Sequence, residues 1–315
     1  RIKGLVINKF RGDKTILEPG IAMLEEKTRI PVVGVVPMIQ ADIEEEDSIS
    51  ERLREDGEKA KPGILDIAVI RLPRISNYTD MAPLESRPCA GVRYVSGARQ
   101  LKEPDLVILP GSKNTMEDLR WLRMSGLEAS ILKLAGKGVP VFGICGGYQM
   151  MGEELEDPCG VEAGGSMRGM GLLPMRTVFG RSKVTTRTEG QTEELEGFWK
   201  ALSGRSYEGY EIHMGDTETS PELAEVQVMA RRGDRVLGIC RGNAAGTYIH
   251  GIFDSREMSD AILEKLAAAK GITLEAVGEG KDFRTYKESQ YRLLAKELRA
   301  SLDMEAVYRI IGEGL

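Results

Sequence analysis

The chain opens on two short apolar runs separated by an amphipathic stretch. Ile2–Ile7 and Ile30–Pro37 each read as a buried strand, and between them Leu17, Ile21 and Leu24 recur at helical spacing over Ile16–Lys27. Strand, helix, strand is the signature of a parallel α/β unit, and one such unit is too little for an independent domain. The pattern then breaks: Glu44–Asp47 and the polar stretch up to Gly63 predict a helix plus linker with a solvated face. A second α/β series follows. Strands are expected at Ile64–Leu72, Ala90–Val95, Leu106–Leu109 and Val139–Ile144, and helices at Thr115–Leu122, Leu127–Lys137 and Tyr148–Glu154. The Gly-, Thr- and Val-rich text from Gly160 to Gly246 predicts shorter strands, with a last strand-like piece at Thr247–Phe253. Met258–Lys270 and Tyr286–Ile311 predict helices. The resulting division is 1–47, a linker at 48–62, a main α/β domain with a mostly parallel sheet at 63–262, and a helical extension at 263–315.

Composition narrows the class. A length of 315 residues is enough for about two domains. Hydrophobic residues at 41% and charged residues at 29% favour a packed core over disorder. Lys plus Arg number 43 against 49 Asp plus Glu, a net charge of −6, which argues against nucleic acid as a partner. No apolar run reaches the roughly 18 residues that would span a bilayer, so no membrane partner is expected. The first residue is Arg1, with no Met and no signal-peptide pattern, which predicts a fragment, a cleaved product or a trimmed chain. Cys89, Cys145, Cys159 and Cys240 form no C-x-x-C pair, so neither a metal site nor a disulfide framework is expected, and a reducing cytoplasm is. Only two histidines exist, His213 and His250.

Three places carry candidate chemistry. In Val141-Phe142-Gly143-Ile144-Cys145-Gly146-Gly147-Tyr148-Gln149 an apolar strand runs through G-x-C-x-G into a helix. This is the pattern of a nucleophile elbow with Cys in place of Ser. Side chains at Gly143 and Gly147 would clash with nearby backbone, and the sulfur would point at a helix N-terminus, whose dipole favours thiolate. A buried structural Cys after a core strand has the same local text. Leu106–Leu109 likewise stops at Pro110-Gly111-Ser112 before a helix. In a parallel sheet that turn shares the carboxyl edge with Cys145, so backbone N–H groups at Gly146 and near Gly111 or Ser112 are candidate oxyanion donors. A base for Cys145 must be His250 or His213, since an ordinary imidazole pKa near 6.5 suits proton transfer at neutral pH. His250 follows a strand-like run that can lie beside the elbow strand, which favours it as base. His213 lies in Gly-bounded text that suits a site-lining residue.

Arg71–Asp80, Pro110–Thr115, Gly143–Met150, Tyr210–Gly215 and Gly246–Phe253 together resemble the cobyric acid synthase family, in the family's order and over most of the chain. The resemblance implies a flavodoxin-like class I glutamine amidotransferase domain preceded by the tail of an ATP-dependent synthetase domain at 1–47. It implies Cys145 as nucleophile, His250 as its base and glutamine as substrate, with Gln149 helping to hold it; His213 and Glu211 are further candidates toward the substrate. It implies amidation of corrinoid side-chain carboxylates in cobalamin biosynthesis, and ATP with Mg²⁺ for a full-length enzyme. Two departures stand out. No G-x-x-x-x-G-K-[ST] occurs, so no nucleotide cofactor is expected on this chain, and the synthetase half is either left out of this sequence or a separate subunit acting in trans; Asn8, at a strand end, is the one candidate for nucleotide-base contact. After His250 come Gly251 and Ile252 rather than the x-Glu of many class I glutaminases, leaving a dyad or an orienting group from elsewhere, such as Glu211. A non-catalytic α/β scaffold, or a Cys-dependent amidase with another substrate, remain as alternatives.

Overall fold

The structure is a computed structural model that describes residues 2–41, 64–219, 225–273 and 283–312. The linker expected over 48–62, and the short helix before it, lie outside them. The chain divides into two compact units, Arg1–Glu44 with Arg284–Leu315, and Glu45–Phe283.

In the first unit, β1 (Leu5–Phe10) and β2 (Val32–Pro37) pair in parallel, joined by the helix Glu18–Thr28. Two further helices, Phe283–Ser301 and Met304–Gly312, complete it. Asp303 N donates to Val33 O at 2.7 Å, and Leu302 bridges Gly34. The helical stretch expected as one extension over 263–315 is therefore shared: its first helix stays with the second unit, while the last two pack on the N-terminal strands. A parallel strand pair needs apolar cover on its faces, and here Val33 and Val36 are buried. Val6, Ile16, Met23, Tyr308 and Ile311 of this unit remain exposed.

The second unit is built on β3 (Leu65–Ile70), β4 (Ile75–Ser76), β5 (Ala90–Val95), β6 (Leu106–Leu109), β7 (Gly111–Ser112), β8 (Val141–Ile144), β9 (Glu154–Asp157), β10 (Gly165–Arg168), β11 (Met175–Gln191), β12 (Ser206–Thr219), β13 (Gln227–Arg232), β14 (Arg235–Arg241) and β15 (Ala244–Thr247). Seven of these form one sheet in the order β13-β14-β15-β8-β6-β3-β5. The run from β15 to β5 is parallel, and β14 and β13 add an antiparallel edge. Counted along the chain, the parallel strands lie in the order 2-1-3-4-5, the flavodoxin-like arrangement, whose direction of winding switches between β3 and β6.

The continuous apolar text of these strands follows from burial on both faces. Leu65, Ile67, Val69, Leu106, Ile108 and Phe142 point into one core with the helix Arg256–Ala269. Ala68, Ile70, Val107, Leu109 and Val141 point into the other, under the helices Thr115–Met124 and Leu127–Gly136.

Three local expectations differ. The helix after the elbow spans only Gly146–Met150, and β9 follows it. The region expected to hold shorter strands contains the longest, β11 with 17 residues and β12 with 14, paired antiparallel in a four-stranded sheet β10-β9-β11-β12. Glycines within these strands mimic turns in the sequence, while the alternation of buried and exposed residues is that of a half-covered antiparallel pair. Finally, the strand before His250 ends at Thr247, and His250 pairs with Tyr210 through an isolated bridge outside the named strands. Among the described residues, no helix is long and apolar enough to cross a membrane.

Candidate active site

The elbow has the backbone its sequence predicts. Cys145 takes φ 49° and ψ −108°, outside the regions ordinary residues prefer. Such strain costs about 1–3 kcal/mol and is held only by a surrounding structure that leaves no alternative. Here Cys145 N donates to Thr247 O at 2.8 Å, and Gln149 N donates to Cys145 O at 2.9 Å. A Cβ on Gly147 would collide with Leu109 O, and one on Gly143 would lie 2.7 Å from the Tyr148 backbone. The elbow therefore packs strand β6, strand β8 and its own helix closer than any side chain allows. Cys145 is 5% exposed, and its Sγ lies 3.5 Å from Ile212 O of β12. Among the other thiols, burial pushes Cys240 up to about 12 and raises Cys89, the direction opposite to that of a nucleophile.

His250 is buried, and its Nδ1 lies 2.7 Å from Asp80 Oδ2, while Gly251 N donates to Asp80 Oδ1 at 2.8 Å. A proton on Nδ1 directed at the carboxylate leaves Nε2 as the working nitrogen. Nε2 is buried on the side of the Cys145 sulfur. Burial opposes the imidazolium, but the Asp80 carboxylate and then the Cys145 sulfur outweigh it, so the His250 pKa rises from 6.5 to about 10. The ordinary pKa expected from sequence thus does not hold here: the site favours the protonated ring.

Asp80 was not a candidate on sequence grounds. The orienting partner of His250 is Asp80 rather than Glu211. Asp80 sits in the short helix Tyr78–Met81 that follows β3 and β4, and Asn77, at φ 50° in the left-handed region that Asn tolerates, turns the chain into it. The usable signal was positional. A loop after the first parallel strand lies at the carboxyl edge beside the switch point, where sites of this fold collect.

The second candidate turn also reaches the site. β7 pairs antiparallel with β4, and Lys113 N donates to Arg74 O. The side-chain position of Gly111 lies 3.1 Å from His250 Cε1, and that of Gly146 lies 2.8 Å from Ser112 N. Thus Gly111, Ser112, Gly146, Cys145 and His250 converge. Ser112 Oγ donates to Asp118 Oδ2 at 2.7 Å and accepts from Asn114 N at 3.0 Å, which fastens the turn to the helix Thr115–Met124. Burial raises the Asp118 carboxyl above its ordinary range against hydrogen bonds from Ser112 and Arg74. Asn114 caps this helix through Glu117 N, and Glu162 accepts from Met116 N.

The remaining candidates have other partners. Gln149 is buried; its Oε1 accepts from Thr115 Oγ1 at 3.1 Å and its Nε2 donates to Tyr248 OH at 3.1 Å. His213 stacks on Tyr248 at 3.8 Å between centroids, and its Nδ1 lies 2.7 Å from Gly215 O. Glu211 is fully buried against Arg232, with His213 Nε2 at 3.4 Å. Asn8 belongs to the first unit, is exposed, and turns its Oδ1 to the backbone N of Lys9.

A thiol on a strained turn, a buried imidazole hydrogen-bonded to a carboxylate, and the backbone of two neighbouring turns thus come together at one edge of the sheet. Residues 66–258 match the model of the CobB/CobQ-like glutamine amidotransferase domain. Proteins named cobyric acid synthase from Ruminiclostridium cellulolyticum and Lachnoclostridium phytofermentans are 50% and 49% identical, over 100% of this chain and 61% and 63% of their own lengths. The chain thus spans under two thirds of these relatives. A solved structure described as a glutamine amidotransferase aligns with a TM-score of 0.48 at 17% identity, covering 64% of this chain and 98% of its own.

Proposed function

The chain belongs to the CobB/CobQ-like glutamine amidotransferase family, and from that membership and the site's geometry we propose that it hydrolyses glutamine to supply ammonia. The Cys145–His250–Asp80 relay carries this reading. Cys145 passes its thiol proton to His250 Nε2, its Sγ attacks the side-chain amide carbon of glutamine, and the C=O pair moves onto oxygen, where Gly146 N–H and an N–H of the Gly111–Ser112 turn receive it. As that oxyanion collapses, the C–N bond breaks and His250 Nε2 delivers its proton to the departing nitrogen, releasing ammonia and leaving a thioester. Water then attacks the thioester carbon and gives a proton to His250, and glutamate leaves as the sulfur departs. Asp80 keeps the ring in place through both steps. Gln149 and His213 shape the wall, since hydrogen bonds and stacking to Tyr248 and Thr115 already hold them.

The use of the ammonia is read from the relatives. Their name supports amidation of side-chain carboxylates on a corrinoid in cobalamin biosynthesis. ATP with Mg²⁺ would activate those carboxylates. The phosphate-cradling motif does not occur in this sequence, and Asn8 Oδ1 already accepts from Lys9 N, so the residues present do not fit the nucleotide. Apolar residues exposed on the first unit fit a surface that further chain of a synthetase would cover. Unpaired cysteines fit a reducing compartment such as the cytoplasm.

The test is incubation of the chain with L-glutamine, with glutamate and ammonia measured, beside Cys145→Ser. Hydrolysis lost in the variant supports the reading. No hydrolysis by the unaltered chain, even when mixed with a synthetase domain in trans, favours a non-catalytic scaffold. Turnover of other amides but not glutamine favours another amidase.

A further inference from the structure

Tyr210 lies directly across from His250 in an isolated antiparallel bridge. His250 N donates to Tyr210 O at 2.8 Å, and Tyr210 N donates to His250 O at 3.1 Å. Residues that exchange both bonds project to the same side of a ladder. The two rings accordingly stack, with centroids 5.2 Å apart and planes 22° from parallel. The edges of the imidazole have other neighbours: Asp80 at Nδ1, the Gly111 backbone at Cε1, and the thiol side at Nε2. Tyr210 therefore supplies a ring face to a group whose edges are otherwise engaged.

We propose that Tyr210 is a positioning residue for His250, its ring face holding the imidazole plane and stabilising the imidazolium that protonates the leaving nitrogen. This rests on the glutaminase reading above and deepens it. An aromatic face carries negative electrostatic potential and attracts a cation, more strongly when both are withdrawn from water. The charged and titratable groups facing His250 are the Asp80 carboxylate and the Cys145 thiol, with Asp254 close by against Gly251. None of these charges is carried by Tyr210, so its replacement leaves their number unchanged. The backbone bridge also survives any substitution other than proline, so side-chain variants report on the ring alone.

The chain contains only two histidines, so imidazole NMR titration of the whole protein resolves His250, with His213→Gln used to assign the signals. Tyr210→Phe keeps the ring and Tyr210→Leu removes it. In Tyr210→Leu the His250 midpoint should fall by about 0.5–1.5 pH units, and kcat for glutamine hydrolysis should fall about three- to thirty-fold with KM little changed. Tyr210→Phe should match the unaltered chain in both. An unmoved midpoint in Tyr210→Leu, or an equal fall in Tyr210→Phe, overturns the proposal. Should Tyr210→Leu fail to fold by circular dichroism, Tyr210→Trp decides: its stronger face should raise the midpoint, and an unchanged or lowered one overturns the proposal. The titration needs no glutamine. A midpoint that moves as expected in a chain that does not hydrolyse glutamine supports the pairing and removes the glutaminase reading.

Discussion

Asp80 Oδ2 and His250 Nδ1 meet at 2.7 Å although 170 residues of chain separate them. The carboxylate's other oxygen accepts from Gly251 N, the residue after the histidine, so one carboxylate fixes both the ring and the backbone that carries it. Both atoms of this grip come from loops at the carboxyl edge of the parallel sheet.

Asp80→Asn keeps the shape and removes the charge. An amide can donate to Nδ1 and stabilise the tautomer with its proton on Nε2, which is wrong for taking a proton from the thiol. Glutamine hydrolysis should fall by about two to four decades, mostly in kcat. Steady-state assay of Asp80→Asn beside Glu211→Gln checks this. Near-normal turnover in Asp80→Asn with loss in Glu211→Gln would transfer the orienting role to Glu211.

The raised pKa of His250 makes stability depend on pH. Its folded value of about 10 exceeds the ordinary 6.5, so between these values the folded state binds the extra proton. The stabilisation is fully present below about pH 6.5 and is lost as pH rises through 10. Denaturant midpoints should therefore decline across that window, and the decline should be shallower in Asp80→Asn. A flat profile in the unaltered chain would show that the ring is not held as its cation.

The two histidines should separate by kinetics. His250→Ala removes the proton carrier and should cost about two to four decades in turnover. His213→Ala removes a stacking partner of Tyr248 and a hydrogen bond to Gly215 O. Its effect should be smaller in rate, with about 0.5–1.5 kcal/mol lost from stability for the ring pair. The reverse ranking in glutamine hydrolysis would exchange the two assignments.

Gly147→Ala places a methyl against Leu109 O, a backbone atom of the central sheet, and should destabilise by about 1–3 kcal/mol or more while also distorting the elbow. Gly136→Ala, at the end of a helix with open space around it, is the matched control and should be neutral or slightly stabilising. Thermal or denaturant unfolding of both variants measures the difference. Equal stability of the two would contradict the close approach of the elbow to β6.

The elbow was legible in the sequence because its chemistry is local. Gly143, Cys145 and Gly147 sit within five residues, and the strain they permit is set by neighbours along the chain. The parallel strands were legible for a related reason: burial on both faces leaves an apolar run that needs no partner to be seen. β11 and β12 are longer than their text suggests, since pairing between distant segments decides that Gly209, opposite Thr188, continues a strand instead of turning it. Only the tertiary structure could choose Asp80. Many acidic residues stand in the sequence without distinction, and which one faces His250 depends on the winding of the sheet, which brings the loop after β3 to the edge where β15 ends. The same holds for Tyr210, whose ring meets His250 through one antiparallel bridge between segments 40 residues apart. Local sequence sets what a residue is able to do; the assembled sheet sets the partners it does it with.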